Sequence, residues 1–232
     1  MSNSDTPITC ADIPVGKTVT VKVPASSANL GPGYDTLGVA LGFYDELRVE
    51  CISEGLEFEL SGEGSEAVPR DETHLVIQAM HAAFERGGLH EFPALRLTAH
   101  NRIPHSRGMG SSASAIVAGV AAASGLLPEH AQLSRDQILQ VASDLEGHPD
   151  NVAPSVYGSL SISWGELGDW RSLVVPVHSA VVPIVAVPDY EVSTKLARSL
   201  IPAEIPHEQA AANSGRAALL IQALSQAPEY LM

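Results

Sequence analysis

Cysteines and basic residues are both scarce in this 232-residue sequence. Cys10 and Cys51 are its two cysteines, and neither lies in a C-x-x-C motif or a cluster with histidine. They therefore fit a reduced thiol pair better than a disulfide scaffold or a zinc site. The 13 Lys and Arg stand against 27 Asp and Glu, which gives a net charge of -14. Because nucleic acids and anionic membranes bind basic surfaces, we expect neither as a partner.

Long apolar runs are also missing. The longest, from Ala115 to Leu127, contains Ser124 and Gly125, and it is shorter than the roughly 20 residues that span a bilayer. Residues 1–16 lack the basic start and the apolar stretch of a secretion signal, so we interpret them as a flexible N-terminal tail. We expect a cytoplasmic protein, and its 45% hydrophobic content suits a substantial core.

Period-two segments and helical segments follow each other along the chain, which predicts an α+β fold. We expect strands in T-V-T-V-K-V, L-G-V-A-L, D-E-L-R-V-E-C-I-S, E-F-E-L-S, A-L-R-L-T-A-H and S-L-S-I-S-W. The first four predict an antiparallel sheet with one buried face. Helices are expected from Leu75, capped by Asp71 or Thr73, in the run that follows Ser111, and from Ser134 to about Glu146.

The sequence after residue 164 predicts a second α+β unit. We interpret Gly165 to Asp169 as a hinge between domains. Beyond it we expect strands in R-S-L-V-V-P-V and A-V-V-P-I-V-A-V-P, then helices in S-T-K-L-A-R-S-L and E-Q-A-A-A-N-S-G-R-A-A-L-L-I-Q-A-L-S. The predicted division is a tail over 1–16, a domain over 17–168 and a second, partial domain over 169–232.

The stretch P-H-S-R-G-M-G-S-S-A-S, from Pro104 to Ser114, is the first candidate site. Gly108 and Gly110 allow a tight turn and a close approach to a ligand. The helix that begins near Ser111 leaves its first N–H groups unpaired, and such a helix start binds anions. A loop that merely joins a strand to a core helix is the alternative. The strand before it and the helix after it favour a phosphate site.

Two further pairs of residues are candidates for binding a charged ligand. Asn29 and Asp35 lie in P-A-S-S-A-N-L-G-P-G-Y-D, and they either bind a ligand or satisfy the backbone of a turn. Thr194 and Arg198 stand four residues apart, so on a helix they share a face and could bind one anion. The alternative is a surface arginine beside a capping threonine.

The segment E-G-H-P-D-N is the densest group of chemically active residues. Glu146, His148, Asp150 and Asn151 fall within six residues, at the point where a helix ends. Loops held by rigid elements often carry function, which favours a site here. Capping of the next short helix by Asp150 and Asn151 is the alternative.

The order of these motifs resembles that of the GHMP family of small-molecule kinases, and most closely the branch that acts on the amino acid L-homoserine. The resemblance extends from Thr18 to the end of the chain. It implies the two-domain GHMP kinase fold: an N-terminal ribosomal-protein-S5-domain-2-like β/α domain and a ferredoxin-like C-terminal domain, here partial. It also implies ATP-dependent phosphorylation of L-homoserine in threonine biosynthesis, with ATP as co-substrate and Mg²⁺.

The resemblance also implies a role for each candidate residue. Ser112 and Glu146 would be Mg²⁺ ligands, although the glutamate of many relatives stands further upstream of the histidine. Asn151 would orient the reacting hydroxyl, and Asp150 would be a weak proton acceptor or a structural cap. The implied substrate-binding residues are Asn29, Asp35, His148, Thr194 and Arg198. The implied nucleotide-binding residues are Pro104, His105, Ser106, Arg107, Gly108, Met109, Gly110, Ser111, Ser112, Ala113 and Ser114.

The sequence departs from this family at its end. It stops at Met232, before an H-x-x-Y-R-like segment and a G-S-G-P-S-like third motif, so we expect a truncated chain with an incomplete substrate site and little activity. Another small-alcohol kinase of the family and a non-catalytic nucleotide-binding or metabolite-binding fragment stay open. A serine hydrolase using Ser111 or Ser112 is disfavoured, because no G-x-S-x-G turn surrounds them. A homodimer is left open.

Overall fold

The computed structural model describes residues 7–190 and 194–231, with the side chains of all of these except 194–196. In this part of the chain, six strands form one mixed sheet in the order β3-β4-β2-β5-β6, with β1 paired to β2. The strands are β1 (Thr18–Ala28), β2 (Leu37–Cys51), β3 (Leu56–Gly62), β4 (Leu95–Asn101), β5 (Leu160–Glu166) and β6 (Asp169–Val175). The predicted α+β class is therefore observed.

The first four helices contribute to the main core, which lies between them and the sheet. The helices are α1 (Leu75–Arg86), α2 (Ser111–Leu126), α3 (Arg135–Glu146), α4 (Val152–Tyr157), α5 (Thr194–Ser199) and α6 (His207–Ser225). Small residues dominate α2, which lets α1 pack very close to it. A Cβ at Gly119 would lie 2.6 Å from the carbonyl oxygen of Val76. No helix in the described residues is both long and apolar enough to span a membrane.

The helix starts agree only in part with the predicted caps. At α3, Ser134 and Gln137 form the predicted capping box. At α1, His74 is the N-cap, and its Nδ1 accepts the N–H of Val76 at 3.2 Å. The prediction of Asp71 or Thr73 is wrong, because Asp71 is used one turn earlier, where it accepts the N–H and hydroxyl of Thr73.

The sheet corrects two strand predictions. L-G-V-A-L and D-E-L-R-V-E-C-I-S are one continuous strand, β2, which pairs with β1, β4 and β5. The sheet is also not wholly antiparallel, because β3 pairs with β4 in parallel. The reason lies in the connection: α1 carries the chain back across the sheet before β4 begins, and such a crossover produces parallel neighbours.

The predicted hinge from Gly165 to Asp169 is the tight turn of a hairpin. β5 and β6 pair through this turn, with Gly165 opposite Trp170 and Glu166 opposite Asp169. Helix α3 also binds β6, because the backbone N–H of Trp170 donates to Gln140 Oε1 at 2.8 Å and its indole N–H to Asp144 Oδ1 at 2.7 Å. The first strand of the predicted second domain thus belongs to the sheet of the first. The assignment of 169–232 as a whole stays a prediction.

Two other segments differ from expectation. Residues 7–16 pack on the body of the protein rather than forming a loose tail, since Ile13 is 2% exposed and Ile8 bridges to Leu89; residues 1–6 lie outside the described chain. The strand predicted over 180–188 is wrong, because residues 181–188 have no regular structure. Pro183 and Pro188 lack the N–H that a sheet ladder needs.

Candidate active site

The glycine-rich loop between β4 and α2 has the backbone conformation of a close-approach site. Gly108 and Gly110 both have positive φ, +71° and +67°, and Gly110 is the N-cap of α2. A Cβ at Gly110 would collide with Ser26 Oγ and come within 2.9 Å of Asn151 Oδ1. Helix α2 begins at Ser111, as predicted, and its first turn presents N–H groups that have no carbonyl partner within the helix.

A cavity of about 300 Å³ adjoins this loop and the start of α1. Its wall is mainly apolar, with polar residues contributed by the loop, by the start of α1 and by the strands. The lining includes Leu60, Val68, Pro69, Thr73, His74, Ala99, His105, Ser106, Ser111, Ser112 and Ser114. The hydroxyl of Ser114 is fully buried and has no hydrogen-bond partner among the described residues. This volume and lining suit a small organic ligand that carries an anionic group toward the loop.

Ser112 and Glu146 meet where α2 begins and α3 ends. The Ser112 hydroxyl donates to Glu146 Oε2 at 2.6 Å. Burial raises the pKa of Glu146, while the bond from Ser112 and the charge of His148 act against that rise. A hydroxyl and a carboxylate are hard oxygen donors that suit Mg²⁺. The described residues hold no group of three or more His, Cys, Asp or Glu able to bind a metal, so protein ligands would complete only part of its shell. Such partial coordination is usual for Mg²⁺ in phosphate sites.

His148 and Asp150 form a hydrogen-bonded pair beside Glu146. Nδ1 of His148 lies 2.7 Å from Asp150 Oδ1, and Asp150 is fully buried. The same oxygen accepts the backbone N–H of Asn151 at 3.0 Å, whereas Oδ2 has no partner in the part of the chain that the structure describes. The hydrogen bond to Asp150 raises the pKa of His148 against the opposing effect of burial. Asp150 therefore fixes the ring of His148 and the turn that presents Asn151.

The side chain of Asn151 faces the glycine-rich loop. Asn151 stands at the N-cap of α4, yet its side chain makes no capping bond there. Its Oδ1 instead accepts the hydroxyl of Ser26 at 2.9 Å. Sequence reasoning missed Ser26, which is fully buried. Its position three residues before Asn29, inside P-A-S-S-A-N, was the available signal.

Asp35 and Arg198 form a two-bonded ion pair between the β1–β2 loop and α5. Arg198 Nη2 and Nη1 donate to the two carboxylate oxygens of Asp35 at 2.8 and 3.1 Å. Arg198 also lies over the ring of Tyr34, at 5.7 Å from its centre. Asn29 has the structural role considered above, since its Oδ1 accepts the backbone N–H of Asp35 at 2.9 Å. The side chain of Thr194 lies outside the described residues.

Arg107, predicted to bind nucleotide, extends toward a later part of the chain. Its Nε donates to the carbonyl of Pro188 at 2.8 Å and its Nη2 to that of Asp189 at 3.3 Å. Its Nη1 donates to the carbonyl of His105 within the loop at 2.9 Å. The guanidinium thus joins the glycine-rich loop to residues 188–189.

The candidate residues therefore converge from distant parts of the chain. Ser112, Glu146 and Asn151 meet at the start of α2, and the charge of Arg198 is near enough to affect the pKa of His148. The candidate residues thus include oxygen donors for a cation, N–H groups for an anion and, at Asp35 and Arg198, an ion pair of opposite charges. Transfer of a phosphoryl group to a zwitterionic small molecule would use these three elements.

Comparison with known proteins gives matches over nearly the whole chain. The model of the GHMP kinases N terminal domain matches residues 74–159. A homoserine kinase of Leifsonia xyli subsp. xyli is 52% identical over 217 residues, which cover 93% of this chain and 67% of that protein. One of Streptomyces coelicolor is 47% identical over 216 residues, covering 92% and 69%. The chain thus spans about two thirds of the length of these relatives.

Solved structures agree with these matches. The homoserine kinase of Cytophaga hutchinsonii superposes with a TM-score of 0.76 at 27% identity, over 89% of this chain and 67% of that one. A phosphomevalonate kinase of Streptococcus pneumoniae, with a TM-score of 0.62 at 14% identity, shares the fold over 90% of this chain and 74% of its own. The predicted GHMP-type α+β fold is confirmed.

Proposed function

The chain belongs to the homoserine kinases of the GHMP family, and we propose that it transfers the γ-phosphoryl group of ATP to the side-chain hydroxyl of L-homoserine. The product is O-phospho-L-homoserine, on the route to threonine. The observation that carries the proposal is the ion pair of Asp35 and Arg198, which brings two opposite charges near enough to His148 for Arg198 to affect the pKa of that histidine. An amino acid presents the complementary ammonium and carboxylate.

ATP occupies the glycine-rich loop and the adjoining cavity in this proposal. The N–H groups at the start of α2 bind phosphate oxygens, as helix starts commonly do. The nucleoside lies in the 300 Å³ cavity between the loop and the start of α1, where Thr73 and His74 form part of the wall. The net negative charge of the whole chain does not oppose ATP binding, because the N–H groups at the start of α2 act on the phosphate oxygens at short range.

Ser112 and Glu146 would hold Mg²⁺ through their side-chain oxygens. When bound, the ion neutralises phosphate charge. The serine hydroxyl donates to the carboxylate, so the fold brings the two oxygens together. A cation held by both oxygens would take the place of this hydrogen bond.

Positioning carries most of the proposed catalysis. Phosphoryl transfer passes through a loose transition state and depends mainly on alignment and charge neutralisation. Asn151 orients the substrate hydroxyl, and Arg198 and Asp35 bind the carboxylate and ammonium. Asp150 holds His148 against the substrate through Oδ1, a role that requires no proton transfer from the hydroxyl. A cytoplasmic location and a homodimer stay predictions.

A coupled ADP-release assay tests this function. L-homoserine is compared with 4-hydroxybutanoate, which lacks the ammonium, and with 3-aminopropan-1-ol, which lacks the carboxylate. We expect turnover with homoserine to exceed that with either analogue by about 10² or more. Substrate binding must open the ion pair of Asp35 and Arg198, and each analogue supplies a new partner for only one of the two residues. Equal turnover of the three would indicate another small-alcohol kinase. Mg-ATP binding without transfer to any of them would indicate a nucleotide-binding module.

A further inference from the structure

Arg107 of the glycine-rich loop holds the part of the chain that leads to α5. Its guanidinium donates to two consecutive carbonyls, those of Pro188 and Asp189. A third bond, to the carbonyl of His105, fixes the guanidinium to its own loop. These bonds use the Nε and both Nη atoms, so the planar group is oriented as well as attracted.

The segment before this contact has little packing of its own. Residues 181–188 belong to no strand or helix, and Val182 and Ile184 are 75% and 95% exposed. On the other side of the contact, α5 is attached to the β1–β2 loop by the pair of Arg198 with Asp35. This part of the chain is therefore held at two points: the glycine-rich loop binds residues 188–189, and the β1–β2 loop that carries Asp35 binds α5.

We propose that Arg107 is a positioning residue for the amino-acid substrate, acting by holding the carbonyls of Pro188 and Asp189 so that α5 presents Arg198 at the site. This inference rests on the proposed function, because it takes Arg198 as the carboxylate-binding residue. It assigns to Arg107, a residue of the glycine-rich loop, an effect on the binding of homoserine rather than of ATP.

The chemistry of the contact makes a substitution informative. A charged donor to a carbonyl forms a strong hydrogen bond, and loss of two such bonds releases the segment that precedes α5. Lysine offers one compact ammonium and cannot reproduce the planar three-nitrogen arrangement. We therefore expect Arg107→Gln to raise the KM for homoserine about tenfold and Arg107→Lys to rescue it only in part. The KM for ATP changes by about twofold or less.

Steady-state kinetics on the full chain test the proposal, with Arg171→Gln as the matched control. Arg171 pairs with Asp169 on the exposed hairpin, so its loss removes the same charge without touching either loop. Binding constants for homoserine and for ATP, measured by calorimetry, repeat the comparison without turnover. Three outcomes would each overturn the proposal: a KM that rises only for ATP, a KM that rises equally for both ligands, and an unchanged KM for homoserine.

Amide hydrogen exchange separates this proposal from the proposed function. In Arg107→Gln without substrates, we expect faster exchange in α5 and unchanged exchange in the interior of α2. Unchanged exchange in α5 overturns the positioning role even if the enzyme is active. A wild-type chain that neither binds nor phosphorylates homoserine overturns the proposed function instead, and the exchange result then decides whether Arg107 holds α5.

Discussion

The side-chain oxygens of Ser112 and Glu146 lie 2.6 Å apart, and this contact joins the first turn of α2 to the last residue of α3. The carboxylate is buried, which raises its pKa, and the serine hydroxyl partly offsets that effect. A cation at this point would stabilise the charged form of the Glu146 carboxylate, which burial disfavours. The contact therefore leads directly to a test of metal dependence.

Glu146→Gln should reduce turnover by about 10² or more and raise the Mg²⁺ concentration needed for half-maximal rate, because a neutral amide binds Mg²⁺ weakly. Ser112→Ala should have a smaller effect in the same direction, and chelation of Mg²⁺ should abolish transfer. The ADP-release assay under Mg²⁺ titration measures all three. Glu129→Gln, in an exposed turn, is the matched control. An unchanged Mg²⁺ requirement in Glu146→Gln would remove Glu146 as a ligand.

Arg198→Gln and Asp35→Asn should each raise the KM for homoserine by about tenfold or more, because each removes a charge that binds the zwitterion. The KM for ATP should stay within about twofold. The double variant should lose less than the product of the two single losses, since the residues bind one ligand and each other. Arg216→Gln, exposed on α6, controls for the loss of positive charge. A rise in the KM for ATP alone would contradict the assignment of Arg198 and Asp35 as homoserine-binding residues.

Asp150→Asn should lower turnover by less than 10², whereas Asn151→Ala should lower it by about 10² or more. Asp150 Oδ1 serves His148 and the backbone of Asn151, which is a structural task that an amide oxygen can partly perform. Single-turnover kinetics at saturating homoserine separate the two effects from substrate binding. A loss of about 10² or more in Asp150→Asn, with homoserine affinity unchanged, would instead support general-base assistance.

Gly110→Ala should destabilise the fold by about 3 kcal/mol and Gly108→Ala by about 1 kcal/mol. Both glycines have positive φ, so both substitutions introduce backbone strain. Only at Gly110 does the added Cβ meet Ser26 Oγ and Asn151 Oδ1, whereas at Gly108 it meets no atom of the described residues within 4 Å. Urea unfolding of the two variants measures the difference. Equal losses would show that the contact with Ser26 relaxes freely.

Stability should fall as the pH drops below 6.5, in part through His74. Burial lowers the pKa of His74 from 6.5, although the charge of Asp71 acts against it, and Nδ1 must be unprotonated to accept the N–H of Val76. A folded pKa below the unfolded one gives stability that is present above pH 6.5 and lost as the pH falls through the folded pKa. His74→Asn keeps a capping oxygen without titrating. Denaturation between about pH 5 and 7.5 should therefore show a smaller loss in this variant; identical losses would exclude His74 as a source.

Local signals in the sequence predicted much of this molecule. The strand, glycine loop and helix around Gly110 follow from short-range conformational preferences, and so does the capping box at Ser134. Sequence could not predict that β3 runs parallel to β4, because that pairing depends on where α1 carries the chain. The strand expected over 180–188 is wrong although its β-branched residues favour a strand, because Pro183 and Pro188 lack the N–H of a sheet ladder and the segment pairs with no strand in the described chain.

Side-chain direction was the part of the site hardest to predict. The family resemblance placed Arg107 with the predicted nucleotide-binding residues of its loop, whereas its long side chain reaches residues 188–189. Ser26 was overlooked because a serine within a strand has no distinctive pattern, and only the approach of Gly110 and Asn151 reveals its role. Such contacts arise from tertiary packing, which a linear motif does not encode.

The attachment of Trp170 to α3 gives the chain a natural optical probe. Its indole N–H donates to Asp144, two residues before Glu146, and its backbone exchanges hydrogen bonds with Gln140. The other tryptophan, Trp164, is 50% exposed, so the wavelength of its emission differs from that of Trp170, which is less exposed. Displacement of the end of α3 as ligands arrive at Glu146 should therefore change the fluorescence of Trp170, and binding can be followed without a label.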